Sequence, residues 1–228
     1  MATKLQIWNR ALYHLGEGKV VDTDPDVDGT EPAYVFDEVW ETIVEDALSR
    51  GDWNFAIVTT EVSESTTTTV IPGYDYAFDH PDDWIRTVAL SFDGDFTDTS
   101  LYGPEIDVYD ERESWFCNSE YLYARYVSST YAGDSYISTW PPSFVEFLAV
   151  LLAEQTCERI TQGTEKQDDL EEKVKTRLLK AKSNDARNQP PQRVRTGNWL
   201  RSMRGNAQRR GYEGTMVGGE IDTVEGST

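Results

Sequence analysis

The chain has 228 residues, of which 38% are hydrophobic and 12% aromatic, enough to bury a core and too apolar for a wholly disordered polypeptide. It carries 41 Asp and Glu against 21 Lys and Arg, a formal net charge of −20, and residues 1–185 alone hold 37 of the acids and 14 of the bases. A body so negative argues against a nucleic-acid grip, and its longest apolar run, residues 147–153, falls far short of the roughly 20 residues of a membrane span.

No apolar signal core follows Met1, so a soluble protein that is not visibly exported is expected. Cys117 and Cys157 lie far apart and outside any Cys-x-x-Cys spacing, which suggests neither a disulfide scaffold nor a cysteine metal site and fits a reducing compartment.

The first element is a short amphipathic helix. Thr3 and Gln6 have the form of a capping box, and Leu5, Trp8, Leu12 and Leu15 recur at steps of three and four before Gly16. An acidic loop follows. Thr30, Glu31 and Pro32 then open a second helix whose one apolar face carries Phe36, Val39, Trp40, Ile43 and Ala47, with Gly51 as its stop.

From residue 53 the pattern changes to period two with turn clusters. Strands are expected at 53–62, 74–78, 84–92, 105–109 and 120–127, with Asn118-Ser119 turning the last back on residues 115–117. Helical signals return after Pro141-Pro142. Ser143 and Glu146 have the capping-box form ahead of a helix apolar over most of its circumference, which Gly163 ends and which is expected to be central. Thr164 and Gln167 open a last helix, to about residue 188, with one narrow stripe of Leu170, Val174, Leu178 and Ala181.

These elements predict an α+β fold. Residues 1–52 and 141–190 form a helical bundle, residues 53–140 an inserted antiparallel β-rich module, and residues 191–228 an extended, flexible C-terminal tail.

Chemistry-bearing motifs are sparse. The chain has no Gly-rich dinucleotide fingerprint, no phosphate-binding P-loop and no Gly-x-Ser-x-Gly elbow, so no catalytic residue and no cofactor is assigned and the chain is not read as an enzyme. His14 and His80 stand outside any His cluster and read as structural or surface residues. Asp24, Asp26, Asp28 and Gly29 match the first half of an EF-hand loop, but Val35 stands where the bidentate Glu belongs and Pro25 at the second position. A solvated acidic loop is expected there, with weak divalent-cation binding by Asp22, Asp24, Asp26 and Asp28 as the alternative; no metal site is assigned.

Residues 186–212 reverse the sign of the chain, with seven arginines and no acid. Phosphate contact, protein docking and a loosely held end all fit that charge. Docking is favoured because Trp199, Leu200 and Met203 stand among Arg193, Arg195, Arg201 and Arg204, an apolar anchor in a cationic frame, and an uncovered Trp-Leu pair is costly.

Several pieces, in order, resemble the head-to-tail adaptor family of short-tailed bacteriophages, also called tail tubular protein A. They are Ile7-Trp8-Asn9-Arg10-Ala11-Leu12 through Leu15-Gly16, Asp52-Trp53-Asn54-Phe55-Ala56, Tyr76 with Pro81, Asp83, Trp84 and Arg86, the run from Pro141-Pro142-Ser143 to Ala149 with Leu152-Ala153-Glu154, and Ala181 to Ala186 before Pro190-Pro191. His80 stands before Pro81 where a Leu is common in the family, and the loop from Asp22 to Asp28 is unusually charged for it.

The resemblance implies a structural virion protein of the neck and tail, made in the host cytoplasm. It implies a ring of twelve copies joining the portal protein to the tail nozzle protein and forming part of the DNA channel, with double-stranded DNA sliding through the lumen without specific binding and no membrane partner. Its tail, with Arg193, Arg195, Trp199, Leu200, Arg201, Met203 and Arg204, is expected to order on the portal. The alternative from another class is a virion-associated cell-wall hydrolase using a carboxylate pair, and a DNA-contacting tail factor is a third.

Overall fold

The computed structural model describes residues 2–94, 96, 107–163 and 166–188. The fold is mixed α+β, and the six strands among the described residues lie in the chain between the third and fourth helices and pair antiparallel. Helix α1, Lys4–Leu15, starts where Thr3 accepts a hydrogen bond from the Gln6 amide at 3.3 Å. It stops at Gly16, whose φ of 77° suits a residue without Cβ. Helix α3, Glu31–Ser49, takes Thr30 as its cap with Pro32 in the first turn.

Between them the acidic loop holds an unforeseen one-turn helix, α2, Pro25–Asp28. It forms because the Asp24 carboxylate accepts from the Asp26 amide at 3.0 Å and Pro25 occupies the first helical position.

Helix α4, Pro142–Thr161, is the centre of the helical layer, with α1, α3 and α5, Gln167–Asn188, all packed on it. It starts differently from the capping-box expectation. The cap is Pro141, no side chain caps the helix, and Ser143 and Glu146 sit inside it. Glu146 instead turns toward cations on two other helices. At the far end the left-handed residue is Gln162, at φ 53°, with Gly163 following it. Thr164, expected to open α5, lies outside the described residues.

The strands form two three-stranded sheets. β1 (Ile57–Val62), β6 (Leu122–Ser128) and β3 (Trp84–Ser91) make one, in the order β1-β6-β3; β2 (Tyr76–Asp79), β5 (Ser114–Cys117) and β4 (Val108–Glu111) make the other, in the order β2-β5-β4. Three expectations are corrected here. Trp53 does not begin a strand: residues 53–56 form a turn, because the Trp53 ring packs against Phe144 and Phe147 and its Nε1–H donates to Ala47 O at 3.0 Å. The strand expected at 105–109 runs over Val108–Glu111, with residues 105 and 106 outside the described set.

Asn118-Ser119 also fails to make a hairpin. β5 pairs with β2 and β4, whereas β6 pairs with β1 and β3, so this turn carries the chain from one sheet to the other. The tight hairpin is β4–β5, across Arg112 and Glu113, both at positive φ (55° and 62°), as a two-residue turn of this type requires.

Period two then distributes the sheets' side chains. From the first sheet Val127 joins the helical core together with Ile57, Ile85 and Val88, while Leu122, Ala124 and Tyr126 face the other way, onto Phe78, Trp115 and Cys117 of the second sheet. The order is therefore helices, first sheet, second sheet. The helical core is the larger, with Trp8, Phe36, Trp53, Phe144 and Phe147 fully buried, each contributing about 1.5–3 kcal/mol by removal from water. It also takes in Ile137 from the 3-10 turn at Asp134–Thr139 and Trp140, which caps that turn.

Candidate functional site

Four polar constellations stand out, and each is built by residues far apart in the chain. The first couples the helical layer to the turn before β1. Asp185, buried on α5, accepts a hydrogen bond from the Asn54 amide at 2.9 Å, and Asn54 Nδ2 donates to Asp185 O at 2.8 Å. Burial pushes the Asp185 carboxyl up, and the Asn54 hydrogen bond pulls against it. This clasp joins residues 131 positions apart. Sequence reading treated α5 as a purely apolar seam and missed it; the signal was an acid at 185, four residues on from Ala181 in the same stripe.

The second centres on Asp83, just before β3. Its carboxylate accepts from the Tyr126 hydroxyl at 2.9 Å, the Thr130 hydroxyl at 3.2 Å and the Ser128 hydroxyl, while Asp83 O accepts the Ser129 amide at 2.7 Å. Burial pushes Asp83 up, and the three hydroxyl bonds together more than reverse it, leaving the group below its usual value. Burial and the adjacent carboxylate push the Tyr126 phenol up to about 12.

The third constellation organises the second sheet. Asp79 accepts from the hydroxyls of Ser65 and Thr68, each at 2.6 Å, and of Ser114 at 2.9 Å, and these bonds hold its carboxyl below the usual range. His80 lies beside it, clamped between the rings of Trp84 and Trp115 at centroid distances of 4.2 and 4.1 Å, with Nε2 3.3 Å from Asp110 Oδ1. Burial pulls the imidazole pKa down, against the pull of Asp110, Glu113 and Asp79. Ser114 gives its proton to Asp79 and not to the histidine. A serine, a histidine and two carboxylates thus sit together without the nucleophile-to-base hydrogen bond of a hydrolytic triad. The cluster orders the strands: β2, β5 and the crossing segment at 65–68 all meet on one carboxylate.

The fourth lies where α1, α4 and α5 meet. Glu146 faces Arg10 at 2.6 Å, His14 at 3.6 Å and Arg177 at 3.6 Å. Beyond it opens a cleft of about 350 Å³ lined by Arg10, Ser143, Glu146, Arg177, Lys180 and Asn184. Burial pulls the His14 pKa down; Glu146 opposes this, and Lys173 and Arg177 add to it. One carboxylate thus stands among more positive charge than it balances, on a chain that is otherwise strongly acidic.

The acidic loop spends its carboxylates on its own backbone. Asp28 accepts from the Val21 amide at 2.5 Å, the Asp22 amide at 3.2 Å and the Thr30 hydroxyl, while Asp22 accepts from the Asp24 amide at 3.1 Å. Among the described residues no group of three or more His, Cys, Asp or Glu side chains is placed to hold a metal ion. Among them, too, no helix is long and apolar enough to cross a membrane.

The residues read from sequence as portal-binding, Arg193, Arg195, Trp199, Leu200, Arg201, Met203 and Arg204, all lie outside the described residues. Compared with protein-family models and with curated proteins, the chain matches none.

Proposed function

We propose that this chain is a head-to-tail adaptor of a short-tailed bacteriophage virion, a ring subunit that joins the portal to the tail nozzle and lines part of the DNA channel. The observation that carries this reading is the ordered resemblance, because its pieces are the residues on which the fold is hung. Trp8 is fully buried against Phe36 and Trp40. Asn54, from the piece at 52–56, clasps Asp185, from the piece at 181–186. Asp83 gathers three hydroxyls, and Arg86 pairs with Asp52. Pieces that each look like an ordinary helix or turn therefore act together in one architecture.

The division of labour follows from chemistry. A ring subunit between two unlike neighbours needs two unlike surfaces. The helical layer supplies charged helix faces, and the second sheet supplies a tyrosine-bearing surface where Tyr74 and Tyr109 stack at 6.2 Å. A negative channel wall lets DNA slide, since like charge prevents a sticky contact. On this reading Trp199 fills a pocket on the portal and the surrounding arginines pair with its acids.

The test is recruitment to purified portal-bearing capsids. Wild-type chain binds in a fixed stoichiometry, and replacing Trp199→Ala together with Arg201→Ala weakens binding by tenfold or more, the scale of an interface hot spot. Unchanged recruitment, or none by the wild type, removes the reading.

A further inference from the structure

Two helices of the helical layer carry stripes of opposite sign and matching spacing, the basic one beginning a turn after Asp169. On α3, Tyr34, Glu38, Glu41 and Glu45 fall at steps of four, three and four, on the side opposite the buried residues Phe36, Trp40, Ile43 and Ala47. On α5, Lys173, Arg177, Lys180 and Asn184 fall at the same steps, beside the apolar seam. Among the described residues Glu38, Glu41, Glu45, Lys173 and Lys180 make no ion pair, and Arg177 reaches only the already shared Glu146 at 3.6 Å. Each stripe runs about 16 Å along its helix.

Each stripe also borders a cleft able to take long side chains. The one beside α5 is the 350 Å³ cleft with Arg10 on its far wall. The one beside α3 measures about 500 Å³ and is lined by Lys4, Asp37, Trp40, Glu41, Glu45 and Asp134.

We propose that the two stripes are the two halves of one contact between copies of this chain, the acidic face of α3 on one copy lying antiparallel on the basic face of α5 of the next. Laid antiparallel, the steps coincide. Lys180 meets Glu38, Arg177 meets Glu41, Lys173 meets Glu45, and the Asn184 amide meets the Tyr34 hydroxyl. In the parallel sense the steps of four, three and four also coincide, but only two charge pairs then form, Glu38 with Arg177 and Glu41 with Lys180, while Lys173 and Glu45 face the neutral Tyr34 and Asn184. A second copy is the occupant because the acidic partner that α5 requires, with the same spacing, is carried by the chain itself. The contact joins unlike faces, so a joined pair keeps one free stripe of each sign and the association propagates until rotation closes it into a ring. The inference rests on the ring reading above and names the faces that make the ring.

Outer stripe residues give a test that leaves the Glu146 pairs intact. Variant one is Lys173→Glu with Lys180→Glu, variant two is Glu38→Lys with Glu45→Lys, and Lys182→Glu, exposed but off the stripe, is the control. Mass is measured by sedimentation, at low and high salt, for the full chain alone and on purified portal. The wild type and control assemble, with assembly weakened by salt. Each variant assembles about tenfold or more weakly, since two exposed pairs become repulsions. A one-to-one mixture of the two variants restores assembly, because every junction is again complementary.

Variants that assemble like the wild type, a mixture that does not recover, or a wild type that stays monomeric both alone and on the portal would each overturn the pairing. A wild type that assembles through the stripes but is not recruited by the portal overturns the adaptor reading alone.

Discussion

The helical layer and the second sheet solve the same problem of order by different means. Around α4 the chain has 20 helical residues whose backbone bonds are satisfied internally, so packing of Trp8, Phe36, Trp53, Phe144 and Phe147 supplies the rest. The second sheet has strands of four residues, too short for their ladders to hold them. There one carboxylate, Asp79 of β2, collects three hydroxyls from two other segments, and His80 is pinned between two indoles. Long elements are held by area, and short ones by a satisfied polar hub over a small apolar cluster.

The largest expected effect tests the area side. Trp53→Ala removes a fully buried ring and its hydrogen bond to Ala47 O, and costs about 3–5 kcal/mol in urea unfolding. A loss under 1 kcal/mol would show that the helical layer does not depend on that ring.

The hub side is tested by Asp79→Ala, which leaves three hydroxyls without their acceptor and costs about 2–3 kcal/mol. Hydrogen exchange sharpens the contrast: amides of β2 and β5 speed up while those of α4 do not. Equal acceleration in both would mean that the two layers open as one unit.

The smallest effect is a dependence on pH. The folded pKa of His80 lies below its unfolded value of 6.5, so the unfolded chain binds more protons in that window. The contribution is full above pH 6.5 and is lost as pH falls through it; His14, shifted in the same direction, adds to the loss. His80→Gln should flatten the melting temperature between pH 7 and pH 5 relative to wild type. An unchanged slope would assign the dependence to other groups.

Legibility followed the range of the interaction. Helix α1 and its cap were readable because Thr3, Gln6 and Gly16 act within a turn of the elements they bound. The Ser143–Glu146 box misled because its spacing is local but the decision was not. Glu146 is worth more facing Arg10 and Arg177 than capping a helix that Pro141 and Pro142 already start. Asn118-Ser119 misled similarly: turn chemistry marks a reversal of direction, and says nothing about which strand lies alongside.

What the sequence by itself determined was the inventory. Periodicity located the amphipathic faces of α1, α3 and α5 and an α4 apolar over most of its circumference, because burial of one face is written into residue spacing. Tertiary structure alone decided which polar groups meet: Asn54 with Asp185, three hydroxyls with Asp83 and three with Asp79, and one carboxylate with cations from two other helices. Hydrophobic burial is non-directional and tolerant, so its pattern survives in one dimension. Hydrogen bonds and ion pairs act over about 3 Å and depend on direction, and chain order does not carry that geometry.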